Sequence, residues 1–180
     1  DQNSEWVVRI FYAAKMVLAS SVMAQSLRFA TDRNLRSVHS YLSYYTVMHS
    51  LRAILFTSTN VMWNNGEILK ATHSKTINIA CDAISHFNKD LSIRVKESVL
   101  HLKAFRELIS YRAPSSGDNF PKPEFDIYEY SRLFLEIAQL QSELLEVSLI
   151  NNSAVSFDLE QRFTQLVYEI ESDGVIFHDA

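Results

Sequence analysis

A stretch of 22 residues, from Leu35 to Phe56, is too long and too evenly apolar for an ordinary surface helix. Its large side chains recur at steps of three and four on two faces, the first made of Leu35, Val38, Leu42, Tyr45 and Phe56 and the second of Tyr41, Tyr44, Met48, Leu51 and Leu55. A helix that is apolar nearly all round packs against neighbours on several sides. The pattern therefore predicts a central helix, with the polar pair His49 and Arg52 lying on its first face in need of partners or a route to water.

Glycine and proline are scarce, with 3 of each among 180 residues, so few turns and long helices are expected. Helical periodicity predicts five further helices, over residues 5–30, 73–88, 91–112, 127–150 and 157–172. Irregular segments at 57–72 and 113–125 separate them, and the second holds all three prolines. The predicted fold class is an all-α, up-down bundle of five to six helices in one domain, 1–180.

Helix starts and buried faces can be assigned from the same pattern. Ser4, Thr72 or Ser74, and Asp126 are the expected N-caps. The first helix is expected to bury Ile10, Ala14, Val17, Ala24 and Leu27. The expected inner face of the helix at 73–88 is Ile77, Ala80, Cys81 and Ile84, and that of the helix at 91–112 is Val95, Val99, Leu102, Phe105 or Leu108, and Ile109. The helix at 127–150 is expected to bury Tyr130, Phe134, Ile137, Leu140, Leu144 and Val147.

Charge is unevenly distributed, with a net charge of +5 over residues 1–125 and −9 over residues 126–180. Such an asymmetry has two interpretations, a nucleic-acid face shielded by an acidic part, or two parts that attract each other within one bundle. The single cysteine, Cys81, allows no intramolecular disulfide and no thiolate metal cluster, which fits a reducing compartment. No run of eighteen apolar residues and no signal-peptide pattern is present, so a cytoplasmic protein without a membrane span is expected. Because the chain begins with Asp1, a trimmed or longer native chain is expected.

Several short motifs follow one another in a characteristic order: AAKMVL in the first helix, YLSYYTVMHSLRAIL in the second, THSKTI at the start of the third and FRELISYR at the end of the fourth. Their order resembles the HEPN family of helical domains, in particular its small bacterial branch. The resemblance covers about residues 8–112, a HEPN-like core, and leaves the acidic helices of 126–180 outside it. The residues that carry it are Tyr44, Tyr45, His49, Arg52, Ala53, Thr72, His73 and Ser74.

The resemblance implies a homodimer that acts on RNA, since many HEPN domains are metal-independent endoribonucleases of toxin or defence systems, with antitoxin or other partner proteins. Those enzymes carry an arginine and, a few residues later, a histidine near the end of the fourth helix. The histidine moves a proton near neutral pH and the arginine stabilises charge on the phosphate. Here Arg106 has Tyr111 and Arg112 after it, so tyrosine stands at the histidine position. This departure suits a weak or degenerate nuclease, or a nucleotide-binding site, because tyrosine ordinarily titrates near pH ~10.

Two interpretations of the function therefore remain open. In the first, the domain binds or cleaves RNA, with Arg106 and Arg112 on the phosphate, Tyr111 as a hydrogen-bond donor and His73 or His101 as the proton carrier. Arg94 and His101 are an alternative pair on one face of the fourth helix. In the second, the chain is a non-catalytic helical dimerisation or scaffold module whose polar residues serve the structure. No cofactor or metal is predicted, since a phosphate-binding glycine loop and paired Glu-x-x-His motifs are absent from the sequence.

Overall fold

The computed structural model describes residues 2–109 and 126–152. Over these ranges it is all-helical, which confirms the predicted all-α bundle. Five α-helices follow in chain order: α1 (Gln2–Asp32), α2 (Arg36–Thr57), α3 (His73–Ser85), α4 (Lys89–Glu107) and α5 (Ile127–Asn152). A short 3₁₀-helix, Asn64–Lys70, lies between α2 and α3. The expected loop at 113–125, the last residues of the expected helix at 91–112 and the expected helix at 157–172 lie outside the described residues.

The chain divides into two compact units, Asp1–Ser142 and Glu143–Ala180. The first holds α1 to α4 and most of α5, and it contains the core described below. Of the second, the described part is the end of α5, where Leu144 and Val147 are exposed rather than buried as expected.

Helix α2 is the centre of the first unit and packs against α1, α3 and α4. From Ser40 onward it is buried on nearly every side, as the sequence predicts, and Tyr44, Leu51 and Ile54 are fully enclosed. Its first turn is different, because Leu35 and Val38 are more than two-fifths exposed. The main core adds residues from α1, α3, α4 and α5, among them Leu27, Ile77, Ile84, Val95, Val99 and Phe134.

The expected inner faces of α3 and α4 are confirmed, with Ile77, Ala80, Cys81 and Ile84 buried on α3 and Val95, Val99 and Leu102 buried on α4. Between the two helices, the hydroxyl of Ser92 donates to the carbonyl of Cys81 at 2.6 Å. On α5, Phe134 and Ile137 are buried as expected, whereas Leu140 is exposed.

The predicted inner stripe of α1 is wrong for two of its five residues. Ala14 and Val17 are exposed, whereas Arg9, Ala13 and Ser20 are buried against the rest of the unit. The Ser20 hydroxyl donates to the Thr46 carbonyl of α2 at 2.9 Å, and the Arg9 guanidinium donates to the carbonyl of Val61. The inner side of α1 is therefore held in part by hydrogen bonds to backbone carbonyls, and apolar residues such as Val17 and Leu18 point outward. The expected cap at Ser4 is also wrong, because α1 begins at Gln2.

Helix α1 is long and apolar enough to be compared with a membrane-spanning segment. Within the described residues, Glu5–Asp32 is the one helical segment that could span a membrane by length and composition, with a mean hydropathy of 1.5. Of the 18-residue window over which this mean is taken, only 17% is buried in the structure. The mean hydropathy of a segment stays high when one residue in it is charged. The search of the sequence for an unbroken apolar run instead ends at a charged residue such as Lys15.

The other predicted caps are confirmed. Thr72 caps α3 by accepting the backbone N–H of Lys75 at 3.2 Å. Asp126 Oδ1 caps α5 by accepting from the N–H groups of Tyr128 and Glu129, at 2.8 and 3.1 Å. Within the segment 57–72, which the sequence predicts to be irregular, Asn64, Asn65 and Gly66 have positive φ and lie inside the 3₁₀-helix.

Replacing Asp126 by alanine should lower the free energy of unfolding by about 1 kcal/mol, because two N–H groups at the start of α5 lose their acceptor. Asp126→Asn retains an acceptor oxygen and should lose only a small part of that. Urea unfolding followed by circular dichroism measures both. Equal stability of the alanine variant and the unmodified protein would show that the α5 cap does not contribute.

Candidate functional site

Six polar and aromatic side chains from three helices meet beside α2, and together they are named the His73 cluster: Tyr44, Tyr45, His49, Arg52, His73 and Arg106. Four of them come from α2, where steps of four and three place Tyr45, His49 and Arg52 along one side. His73 is the first residue of α3, and Arg106 lies in the last turn of α4. The fold thereby brings His73 near Tyr44, which lies 29 residues earlier in the sequence, and near Arg106, which lies 33 residues later.

The hydrogen bond between Tyr44 and His73 is the central contact. The phenol oxygen of Tyr44 lies 2.8 Å from Nδ1 of His73. Burial raises the pKa of Tyr44 to about 12, against a smaller opposing effect of Arg106. Burial also lowers the pKa of His73, helped by the positive charges of Arg52, Arg106 and Lys103. Both side chains are therefore neutral at pH 7.

The Tyr44 proton has two acceptors within reach, and they correspond to the two tautomers of His73. Donation to Nδ1 at 2.8 Å leaves the imidazole proton on Nε2. The alternative acceptor is Sδ of Met48 at 3.7 Å, a weaker thioether. When the phenol O–H turns to that sulfur, its oxygen can accept from Nδ1–H, and Nε2 is then free to take a proton. The 2.8 Å contact between the phenol oxygen and Nδ1 is kept in both arrangements, and the second adds the weak bond from the phenol to the Met48 sulfur.

Arg106 lies over the two tyrosine rings. Its Cζ is 5.3 Å from the ring centre of Tyr44 and 5.9 Å from that of Tyr45, within the range of cation–π attraction. Its side chain is only 12% exposed and forms an ion pair at 3.4 Å with Glu107, which is 49% exposed. Attraction to two rings limits the freedom of the guanidinium to move.

His49 and Arg52 complete the cluster at the end near α3. The His49 ring lies 5.8 Å from that of Tyr45, and burial together with Arg52 and His73 lowers the pKa of His49. Nδ1 of His49 is buried without a hydrogen-bond partner among the described residues. Arg52 donates to the carbonyl of Ala71 at 3.4 Å, just before the Thr72 cap.

Positive charge dominates around His73. Arg52, Lys103 and Arg106 all lower the pKa of His73 through their positive charge, and the carboxylate of Glu107 opposes them. The N-terminus of α3, where His73 lies, adds the positive end of a helix dipole. A site with three nearby cations, a helix N-terminus and neutral histidines suits an anion, and its planar guanidinium groups suit phosphate.

The structure brings together two of the predicted site residues, His73 and Arg106, and leaves others apart. Arg94 and His101 are exposed on α4, outside the His73 cluster. Tyr111 and Arg112 lie outside the described residues. Tyr44, which the sequence places on the second apolar face of the central helix, is both buried and bonded to His73. Lys103 was missed, although its position one turn before Arg106 was a usable signal.

Among the described residues no group of three or more His, Cys, Asp or Glu side chains could hold a metal ion. Comparisons with protein-family models, curated sequences and solved structures found no match to this chain.

Proposed function

We propose that the His73 cluster binds a phosphate group of RNA or of a nucleotide, and that it supports weak RNA cleavage without metal. The observation that carries the proposal is the hydrogen-bonded pair of Tyr44 and His73 surrounded by Arg52, Lys103 and Arg106. The order of motifs in the sequence supports the same function independently, since the residues of the cluster from α2 and α3 are those that resemble the HEPN family.

Phosphate binding would use the nearby cations and His73 together. Arg106 presents a guanidinium held by two rings, and Arg52 lies beside the start of α3. A phosphate placed among them would compensate the positive charges that now disfavour the imidazolium of His73. The anion and the proton on His73 would therefore bind cooperatively, each raising the affinity for the other.

Cleavage would proceed through the ribose 2′-hydroxyl. In the tautomer with Nε2 free, His73 takes the 2′-hydroxyl proton, and the 2′ oxygen attacks the adjacent phosphorus. The bond from phosphorus to the 5′ oxygen breaks, and that oxygen takes a proton from water. The products are a 2′,3′-cyclic phosphate and a 5′-hydroxyl, and Arg106 stabilises the charge that develops on the phosphoryl oxygens. We expect cleavage to be slow, because only the tautomer of His73 that leaves Nε2 without a proton can act as the base.

The biological setting is proposed from the resemblance alone: a cytoplasmic toxin or defence protein whose activity a partner protein controls.

Titration of His73 by NMR tests phosphate binding directly. In chloride buffer the pKa of His73 should lie below the usual value near 6.5. Inorganic phosphate, a mononucleotide or single-stranded RNA should raise it by about one pH unit, because a bound anion offsets the nearby cations. The His73→Gln variant assigns the signal among the six histidines.

His101 provides an internal control, since it is exposed on α4 outside the cluster. Its ring signals should not move when phosphate is added at constant pH and ionic strength. A His73 pKa that is the same in chloride, phosphate and RNA would count against an anion site at the cluster. Equal shifts at His73 and His101 would indicate a general salt effect.

A further inference from the structure

The outward side of α1 carries a row of apolar residues, interrupted once by the exposed Gln25 and named the α1 stripe: Val7, Phe11, Ala14, Leu18, Val22 and Phe29. Among these, Val7, Leu18 and Val22 are more than 60% exposed. At about 100° per residue the six positions lie within about 80° of the helix circumference, and the stripe is about 33 Å long. The residues beside it, Lys15 and Arg28, are exposed and charged. A narrow apolar row between charged flanks is the pattern of a helix–helix seam.

The stripe continues into an apolar groove where α1 meets α2. The groove has a volume of about 610 Å³ and is lined by Phe29, Leu35, Val38, Tyr41 and Leu42, with Gln25, Ser26 and Ala30. Phe29 belongs to both surfaces. Stripe and groove therefore form one exposed apolar surface that runs the length of α1 and around its C-terminal end.

The apolar area of this surface is close to the area that each partner buries in a stable dimer. Eight large side chains of the stripe and groove are 41–67% exposed: Val7, Phe11, Leu18, Val22, Phe29, Leu35, Val38 and Tyr41. If each presents on the order of 150–200 Å² when fully exposed, they leave roughly 640–850 Å² of apolar surface. That exceeds the patches of roughly 300–600 Å² typical of monomers. It is close to the ~800 Å² per partner of a standard protein interface.

We propose that a second copy of this chain covers the surface, with the two α1 helices antiparallel about a twofold axis at Leu18. In this register Val7 of one copy faces Phe29 of the other, Ala14 faces Val22, and Leu18 faces its equivalent. A small residue opposite a larger one lets the side chains interlock. A parallel pair would instead place Ala14 opposite its own equivalent, with no larger side chain to fill the gap.

A lipid surface is the competing occupant, and the structure favours the second copy. Insertion across a membrane would separate α1 from α2 and would expose Arg9, which is 1% exposed and bonded to Glu5 and the Val61 carbonyl. The charged flanks Lys15 and Arg28 also confine the apolar row to one side. The inference is independent of the proposed phosphate site, because the stripe shares no residue with the His73 cluster.

Sedimentation equilibrium measures the association, and Leu18→Glu should weaken it by about 100-fold or more, because a charge would be buried at the centre of the seam. Leu18→Ser is the milder variant, and Leu100→Glu is the matched control, since Leu100 is 43% exposed on α4 outside the stripe and groove. Circular dichroism checks that each variant remains helical. A monomeric unmodified protein at high concentration would overturn the proposal. Equal loss of association in the Leu100→Glu control would overturn it too.

Cysteine cross-linking tests the register without weakening the seam. Leu18→Cys should form an intermolecular disulfide under mild oxidation, and a mixture of Val7→Cys and Phe29→Cys chains should form a mixed one. Val7→Cys alone should form none, and a disulfide there would overturn the antiparallel register. Native Cys81 is buried and should take no part. Flotation of the unmodified protein with phosphatidylcholine vesicles would assign the surface to lipid and overturn the proposal, whereas a dimer that stays below the vesicles supports it.

Discussion

RNA cleavage in the presence of EDTA is expected to fall about 100-fold or more in Arg106→Ala. The arginine lies over Tyr44 and Tyr45 and next to His73, where it can stabilise charge on a phosphate as it develops. The measurement is the rate of cleavage of a labelled single-stranded RNA from about pH 6 to pH 9, the range over which a histidine changes its proton. Detection of a 2′,3′-cyclic phosphate end would identify the proposed reaction.

The matched control for this experiment is the double variant Arg94→Ala/His101→Ala. Both residues lie on α4, like Arg106, but they are exposed outside the His73 cluster. We expect the double variant to cleave at the rate of the unmodified protein. Loss of cleavage only in the double variant would move the site to Arg94 and His101. If the unmodified protein does not cleave RNA at all, phosphate binding or the scaffold interpretation describes the domain better.

Phe134→Ala is expected to lower the free energy of unfolding by about 3–5 kcal/mol. Phe134 is fully buried on α5, joins the main core and lies 6.0 Å from the ring of Tyr130. Removing its ring leaves a cavity that a close-packed core fills only in part. A loss on this scale would show that α5, which lies outside the HEPN-like part of the sequence, is nevertheless part of the folded core.

The exposed residue Phe87 gives the comparison for that measurement, since it is 60% exposed just after α3. Phe87→Ala should change stability by less than about 0.5 kcal/mol. Urea unfolding measured by circular dichroism and by tyrosine and tryptophan fluorescence gives both values. A Phe134→Ala variant as stable as Phe87→Ala would mean that α5 contributes little to the core.

The fold was largely predictable because strong local signals specify it. The all-round apolar character of α2 predicts a central helix, and the cap residues Thr72 and Asp126 act within a few residues of their own position. The buried side of α1 could not be predicted in the same way. Periodicity assigns the larger apolar residues to the core, but Arg9 and Ser20 are buried through hydrogen bonds to backbone carbonyls elsewhere in the chain.

The candidate site was predictable in part. His73 and Arg106 were singled out from the resemblance, and both lie in the cluster. The partner of His73 could not be derived from periodicity, because Tyr44 precedes it by 29 residues and belongs to another helix. Only the packing of α3 against α2 brings the phenol to the imidazole. The contacts of Arg106 with the rings of Tyr44 and Tyr45 likewise depend on the packing of α4 against α2, which periodicity does not predict.

The burial of Cys81 gives the protein a chemical reporter of its own opening. Its thiol lies on the inner face of α3, and burial raises its pKa to about 11 despite the nearby charge of Lys96. At pH 7 roughly one thiol in 10⁴ is ionised, so a thiol reagent finds almost no nucleophile in the folded chain. Modification then requires that α3 first separate from the core. The labelling rate of this single cysteine therefore measures how often the bundle opens, in native buffer and without any engineered probe.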